Sequence, residues 1–195
     1  MFTNRYHIRR LLWMALLTGS VAMAGSPTYL GFTLNMDASS VDKQLKTRGS
    51  VFDTGYGYKG YAKDLPVYKV NSDPIMGKHG QMTEAWLQFT PPPHKLYLVS
   101  VTWADAGSTF RLLKDVLDQK YVSNGTEGRK FHRRYLYQDG DVYIRLTRNS
   151  FGFGKDQSTK LEYIFQPAVP VVENMKAKID QAIKKEKLKS SGADL

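Results

Sequence analysis

The residues around Asp139-Gly140 constrain the fold of this chain more than any others. Val142, Ile144 and Leu146 alternate with Tyr143, Arg145 and Thr147, and a second strand-like run, 134–138, stands just before them. Side chains on a strand have a period of two, so this pattern predicts one buried and one wet face. Asp-Gly between two such runs is the strongest short hairpin signal in the sequence and predicts an antiparallel sheet. Residues 161–166 extend the set. Earlier in the chain, 55–61, 67–70, 85–90 and 96–103 also read as strands. In the last of these, Tyr97, Val99, Val101 and Trp103 are expected on one face, with Ser100 and Thr102 on the other. Pro91-Pro92-Pro93 separates the final two as a hairpin loop does.

Two helices punctuate the strands. Residues 38–48 place Ala38, Val41 and Leu45 on one side, with Asp37 or Ser39 as cap and Gly49 at the left-handed position beyond the end. Residues 109–122 repeat Phe110, Leu113, Val116, Leu117 and Tyr121 at helical spacing, with Ser108 as cap and Asn124-Gly125 as terminator. Helix, strands, helix, strands is an α+β order: antiparallel sheet with helices packed on one face. It suggests one domain over 25–166, either a tandem helix-plus-meander repeat (25–104 and 105–166) or a single continuous sheet. Residues 167–195 differ. Beyond Pro167 and Pro170, Val172, Met175, Ile179, Ala182 and Ile183 form a stripe on a lysine-rich amphipathic helix, and a frayed tail follows from Ser190. The stripe suits docking on the domain, on a partner or on a membrane surface.

Residues 1–24 read as a cleaved secretory signal. Arg5, Arg9 and Arg10 precede the apolar run 11–21, and Ala22-Met23-Ala24 supplies the small-x-small cleavage pattern. As a helix, 11–24 would be about 21 Å long, short of the ~30 Å bilayer core. No later run is long and apolar enough to cross, so a periplasmic or secreted protein without a transmembrane segment is expected. Removal of the three arginines lowers the formal charge from +10 to +7. The chain has no cysteine, which excludes disulfides, thiolate chemistry and the acylated cysteine of a bacterial lipoprotein.

No set of residues names a reaction. His79, His94 and His132 lack metal-ligand spacing, so no metal or cofactor is expected. Ser40-Val41-Asp42-Lys43 matches S-x-x-K, but S-D-N is absent and Lys46-Thr47-Arg48-Gly49 is not K-T-G. No G-x-S-x-G occurs. Asp139 with Asp141, and Asp115 with Asp118, sit where turn chemistry and a solvated helix surface place carboxylates anyway. The expectation is therefore a non-enzymatic protein that binds.

Three segments are candidates for that binding. Tyr56, Tyr58 and Tyr61 alternate with glycines over 55–61, suited to stacking on sugars or to covering a core from a glycine-bent edge. Arg129, Lys130, Arg133 and Arg134, with Phe131 and His132 among them, form the densest basic cluster. Phe151 and Phe153 lie in a glycine-rich loop, where exposure is costly unless they pack or bind. A protein partner in the bacterial envelope is the first expectation, with a saccharide or anionic envelope polymer as the alternative and, third, a hydrolase whose site gathers His79, His94 or His132 with carboxylates from distant parts of the chain. Export argues against nucleic acid.

Leu34-Asn35-Met36-Asp37-Ala38-Ser39-Ser40-Val41, ahead of a helix and a meander, resembles the lead-in of small exported modules of the type of the outer-membrane assembly lipoprotein BamE and of β-lactamase inhibitory protein. The helix ending Asp118-Gln119-Lys120-Tyr121 is similar to that of other small exported proteins of Gram-negative bacteria. The resemblance implies helices packed on an antiparallel sheet and carries no site residues.

N-terminal sequencing of the exported protein should begin at Gly25; a first residue other than Gly25, or retention of Met1, contradicts the proposed cleavage.

Overall fold

The computed structural model describes residues 27–105 and 107–192. The expected signal segment, 1–24, and the last residues of the tail, 193–195, lie outside the described residues. In chain order the elements are α1 (Ala38–Thr47), β1 (Val51–Tyr58), β2 (Tyr61–Ser72), β3 (Met82–Phe89), β4 (Leu96–Ala104), α2 (Ser108–Lys120), β5 (Val122–Arg129), β6 (His132–Asp139), β7 (Val142–Asn149), β8 (Ser158–Phe165) and α3 (Val169–Gly192). The strands form one sheet in the order β1-β2-β3-β4-β8-β7-β6-β5, with every neighbouring pair antiparallel. Two four-strand meanders thus meet at β4 and β8, in register from Leu98↔Ile164 to Ala104↔Ser158. The fold is α+β, as the alternation predicts.

The first face of the sheet carries the larger core. Val99, Val101 and Trp103 of β4, Ile144 and Leu146 of β7 and Leu161 of β8 are buried against Val41 and Leu45 of α1 and Leu113 and Leu117 of α2. At about 25 cal/mol per Å² of apolar surface removed from water, such burial is the main stabilising contribution in a chain without disulfides. The second face holds a smaller cluster: Leu65, Tyr97, Val172 and Ile179. Val172, Met175, Ile179 and Ile183 of α3 pack there, so the predicted stripe docks on the sheet, although Ala182 stays exposed.

Tyr97 corrects the sequence reading. It was expected beside Val99, Val101 and Trp103, yet it lies in the opposite cluster. Gln88 pairs with Leu98 while Phe89 pairs with Leu96, so Tyr97 is the extra residue of a β-bulge and turns to the other face. Local differences have similar causes. The run 55–61 is not one strand: Lys59 (φ 48°) and Gly60 (φ 90°) turn the chain between β1 and β2, with the two positive φ angles of a type I′ turn. Gly57 is required there, because a Cβ would lie 2.2 Å from the Ala62 nitrogen. Asn124-Gly125 does not end α2 but sits inside β5, at a register shift between Ser123 and Gly125. All of β5 is exposed, so no apolar alternation announces it. Asp37 stands at the N-cap of α1 without a side-chain bond to the helix; its carboxylate pairs with Lys95 at 2.8 Å.

Nor does Ser108 cap α2; it is the first residue of the helix. Asp105 does that work. Its Oδ1 accepts from the backbone N–H of Gly107 (2.7 Å) and Thr109 (3.1 Å), and Oδ2 accepts from Phe110 N–H (2.9 Å) and the Thr159 hydroxyl (2.7 Å). Arg148 donates to the Asp105 carbonyl at 2.6 Å, and its guanidinium stands 3.5 Å from the carboxylate. Burial opposes ionisation, but the Thr159 hydroxyl and the three amides outweigh it and hold the pKa at about 2, below the ordinary 3.8. The folded state therefore binds this proton less tightly than the unfolded chain. The stabilisation is full above about pH 4 and is lost as pH falls towards 2.

Asp105→Ala, which orphans five donors (the amides of Gly107, Thr109 and Phe110 and the hydroxyls of Ser108 and Thr159) beside the partly buried Arg148 guanidinium, should lower unfolding free energy by about 3 kcal/mol in urea titration at pH 7. Asp105→Asn should remove the part of the acid-induced loss between about pH 4 and 2 that this group supplies; an unchanged acid profile would contradict the assignment.

Candidate functional site

The binding candidates resolve into two surfaces. The first is the second face of the sheet, beside α3. Register brings one residue from each of several strands into a row: Lys69, Trp86, Ser100, Glu162 and Arg145 are consecutive cross-strand neighbours on β2, β3, β4, β8 and β7. Tyr56, 44 % exposed, stands edge-on to Trp86 with ring centroids 5.7 Å apart, and the Lys69 ammonium lies 5.9 Å from the same ring. At the other end, the Arg145 guanidinium is 6.0 Å from the Tyr143 ring and 3.3 Å from the Glu162 carboxylate. Lys160 approaches Glu162 at 2.8 Å, so this nearly buried carboxylate is held by two cations. Between Trp86 and Glu162, the buried Ser100 hydroxyl has no partner among the described residues.

A cleft of about 350 Å³ opens where this row meets α3. Leu98 and Ile164 lie on its sheet side, Tyr143 and Arg145 on one wall, and Glu173 and Lys176 on the helix. The Tyr97 hydroxyl donates to Gln88 Oε1 at 2.8 Å at its edge; burial, then the nearby Glu173 charge, raises the Tyr97 pKa well above the ordinary range, so it stays a neutral donor. Apolar floor, aromatic rims and charges of both signs suit a mixed polar and apolar ligand surface.

Two of the three tyrosines from 55–61 serve α3 instead. Tyr58 and Tyr61 are partly buried against the small cluster under the helix. The Tyr58 ring has the Lys59 and Lys176 ammonium groups 5.5 and 5.6 Å from its centroid, and Lys59 bridges to Asp180 of α3 at 2.8 Å. Only Tyr56 joins the open face.

The second surface lies at one end of the sheet. Lys130 and Phe131 form the turn between β5 and β6, so Arg129, Lys130 and Arg133 are exposed at a hairpin tip and Arg134 half-exposed behind it. The loop 150–157 between β7 and β8 meets this tip: Ser150 N–H donates to the Phe131 carbonyl at 2.9 Å. The Phe131 and Phe151 rings are 6.2 Å apart at 77°. Two segments singled out separately in the sequence, the basic cluster and the Phe151/Phe153 loop, are therefore one surface.

The remaining candidates serve local structure. Asp139 accepts from the Tyr29 hydroxyl at 2.8 Å, and Asp118 accepts from Tyr137 at 2.7 Å and pairs with Lys114. Ser40 and Lys43 are exposed on α1, and among the described residues no hydrogen bond joins them. His79 packs edge-on to Trp103, with centroids 6.0 Å apart, and burial followed by the Lys78 charge lowers its pKa. Among the described residues no three His, Cys, Asp or Glu side chains gather as a metal site, and no helix is long and apolar enough to cross a membrane. No family model, curated protein or solved structure matches the chain.

The open-face row was not apparent from sequence. Trp86 on β3 is far along the chain from Tyr143 and Arg145 on β7 and Glu162 on β8, and only register aligns them. The usable signal was aromatic and charged residues at the outward positions of β3 and β7.

Ile179→Ala should weaken the seat of α3 by about 2–4 kcal/mol. Hydrogen exchange should then accelerate across α3 while the α2 amides keep their protection; equal acceleration in both helices would show that α3 does not open separately.

Proposed function

We propose that this chain is an exported, non-enzymatic binding protein of the bacterial envelope that holds another protein on the open face of its sheet. The observation that carries the reading is the row from Tyr56 and Trp86 to Tyr143 and Arg145 beside a cleft of about 350 Å³. Tyr, Trp and Arg are the side chains that most often dominate protein interfaces, because each buries a large area and keeps a polar or charged handle. Charges of both signs, Lys69, Arg145 and Lys176 against Glu162 and Glu173, give such a face a way to fix the orientation of its partner. Export rests on the arginine-headed apolar segment at the N-terminus. The order helix, four strands, helix, four strands supports reading 25–166 as two tandem helix-plus-meander units.

A saccharide or anionic polymer is the second reading, favoured by the contact of Tyr56 with Trp86, whose rings offer a stacking platform.

A photo-crosslinker at Tyr143 should capture one envelope protein reproducibly, and Trp86→Ala with Arg145→Ala should cut that capture at least about tenfold without changing the circular dichroism spectrum. Unchanged capture by the double variant would overturn the protein reading. Loss of retention on peptidoglycan by Tyr56→Ala, with protein capture intact, would favour the second.

A further inference from the structure

We propose that the end of the sheet formed by the β5–β6 turn and the loop 150–157 docks on an anionic lipid surface, with Phe131, Phe151 and Phe153 entering the boundary between headgroups and acyl chains. The three phenylalanines are 52 %, 72 % and 91 % exposed. Phe has no polar group to justify such exposure in water, and three of them at adjoining loop tips make an apolar cap. The loops are joined by the Ser150–Phe131 backbone bond and the Phe131–Phe151 ring contact, so these two rings are one preformed feature, with Phe153 two residues further along the same loop.

Charge identifies what the cap meets. Arg129, Lys130 and Arg133 are exposed around it, and Arg134 is half-exposed. The Lys130 ammonium stands 5.6 Å from the Phe131 ring centroid, so cation and apolar ring present themselves together. Arg111, near the start of α2, faces the same end of the sheet, its guanidinium close to Gly107. The acids there are fewer: Glu127 opposite Arg134 on β5, Asp156 in the loop, and Asp105, whose charge is buried and shared with Arg148.

The open face beside α3 contrasts with this. It mixes both charge signs around a cleft, as a protein partner requires. The tip has a positive excess, bare phenyl rings and none of the clefts that flank α3. A bilayer rich in phosphate headgroups asks for that combination: cations on the phosphates and apolar rings just beneath. The apolar stripe of α3, the other basic amphipathic feature, is already occupied by the sheet through Val172 and Ile179. This inference does not depend on the protein partner proposed above.

The test uses the full-length chain with vesicles of phosphatidylcholine alone and vesicles containing about one quarter phosphatidylglycerol. Sedimentation should show binding to the anionic vesicles that weakens at about 0.5 M salt. Phe151→Ser with Phe153→Ser should reduce it at least about tenfold, with thermal unfolding unchanged because neither ring is in the core. Phe153→Trp supplies an independent readout: the emission of the introduced indole, taken as the difference from wild type, should shift to the blue on adding anionic vesicles. Attachment through the N-terminal apolar segment alone would leave that emission unshifted and overturn the proposal. So would equal sedimentation of wild type and the double variant, equal binding to both vesicle types, or loss of protein capture rather than lipid binding in the double variant.

Discussion

The Asp105 carboxylate sits where four segments meet. It follows β4, satisfies the first amides of α2, accepts the Thr159 hydroxyl of β8 and faces Arg148 of β7. Both oxygens are fully used, which is why a buried charge is tolerated: each lone-pair direction that water would have filled has a protein donor. The consequence is geometric. The helix between the two meanders is fixed to the strands that join them, so Leu113 and Leu117 are delivered to the core at a set height over Ile144 and Leu161. Asp73 performs a smaller version of the task. It accepts from the amides of Ile75 and Met76 and from the Ser50 hydroxyl, shaping the turn 76–79. Trp103 and Thr109 then hold that turn by its carbonyls, at 2.8 and 2.7 Å. The helix face of the sheet is thus pinned from two buried carboxylates, leaving the other face free to be shaped by something else.

That something is the bulge at Tyr97. One extra residue in β4 sends a large aromatic to the second face, where Leu65, Val172 and Ile179 close around it. It joins Tyr58, Tyr61, Leu98 and Phe165 in the apolar seat of α3. The helix is seated over one part of the sheet, and beyond it Trp86 and Tyr143 are partly exposed on either side of the buried Ser100 and Glu162. A local irregularity in pairing therefore contributes a large side chain to the seat of the last helix.

The sequence revealed what period alone can reveal. The α2 apolar stripe apart from the half-exposed Val116, the Val142–Leu146 alternation, the Pro-rich loop before β4 and the α3 stripe apart from Ala182 are each carried by residues close in the chain, and each matches an element of the structure. The misreadings share a cause as well. β5 has no apolar face because it has no covered face. The turn at Lys59-Gly60 uses a lysine at positive φ, where Asn or Asp is the commoner signal. The Tyr97 bulge exists only as a mismatch between two strands. The cap of α2 comes from a residue three positions ahead of the helix. For binding surfaces the pattern repeats: the aromatic and basic segments could be picked out one by one, but their convergence at Phe131 and Phe151, and the Trp86–Glu162–Arg145 row, depend on register.

Pairing in the sheet is uninterrupted from β4 through β8 and β7 to β6, shifted twice between β3 and β4, and broken again at both rims. β4 with β8, β8 with β7 and β7 with β6 run without interruption, whereas β1 shows three register shifts against β2, and β5 one against β6. The rims are where unpaired N–H and C=O groups invite a strand from another molecule. Kinked and glycine-bearing, with Glu127 and Arg129 along one rim, they are poor templates for continued pairing. An open eight-stranded sheet is in principle a seed for fibres. Here the same irregularities that made the outer strands hard to recognise from sequence also limit self-addition, so the sheet can remain open without growing.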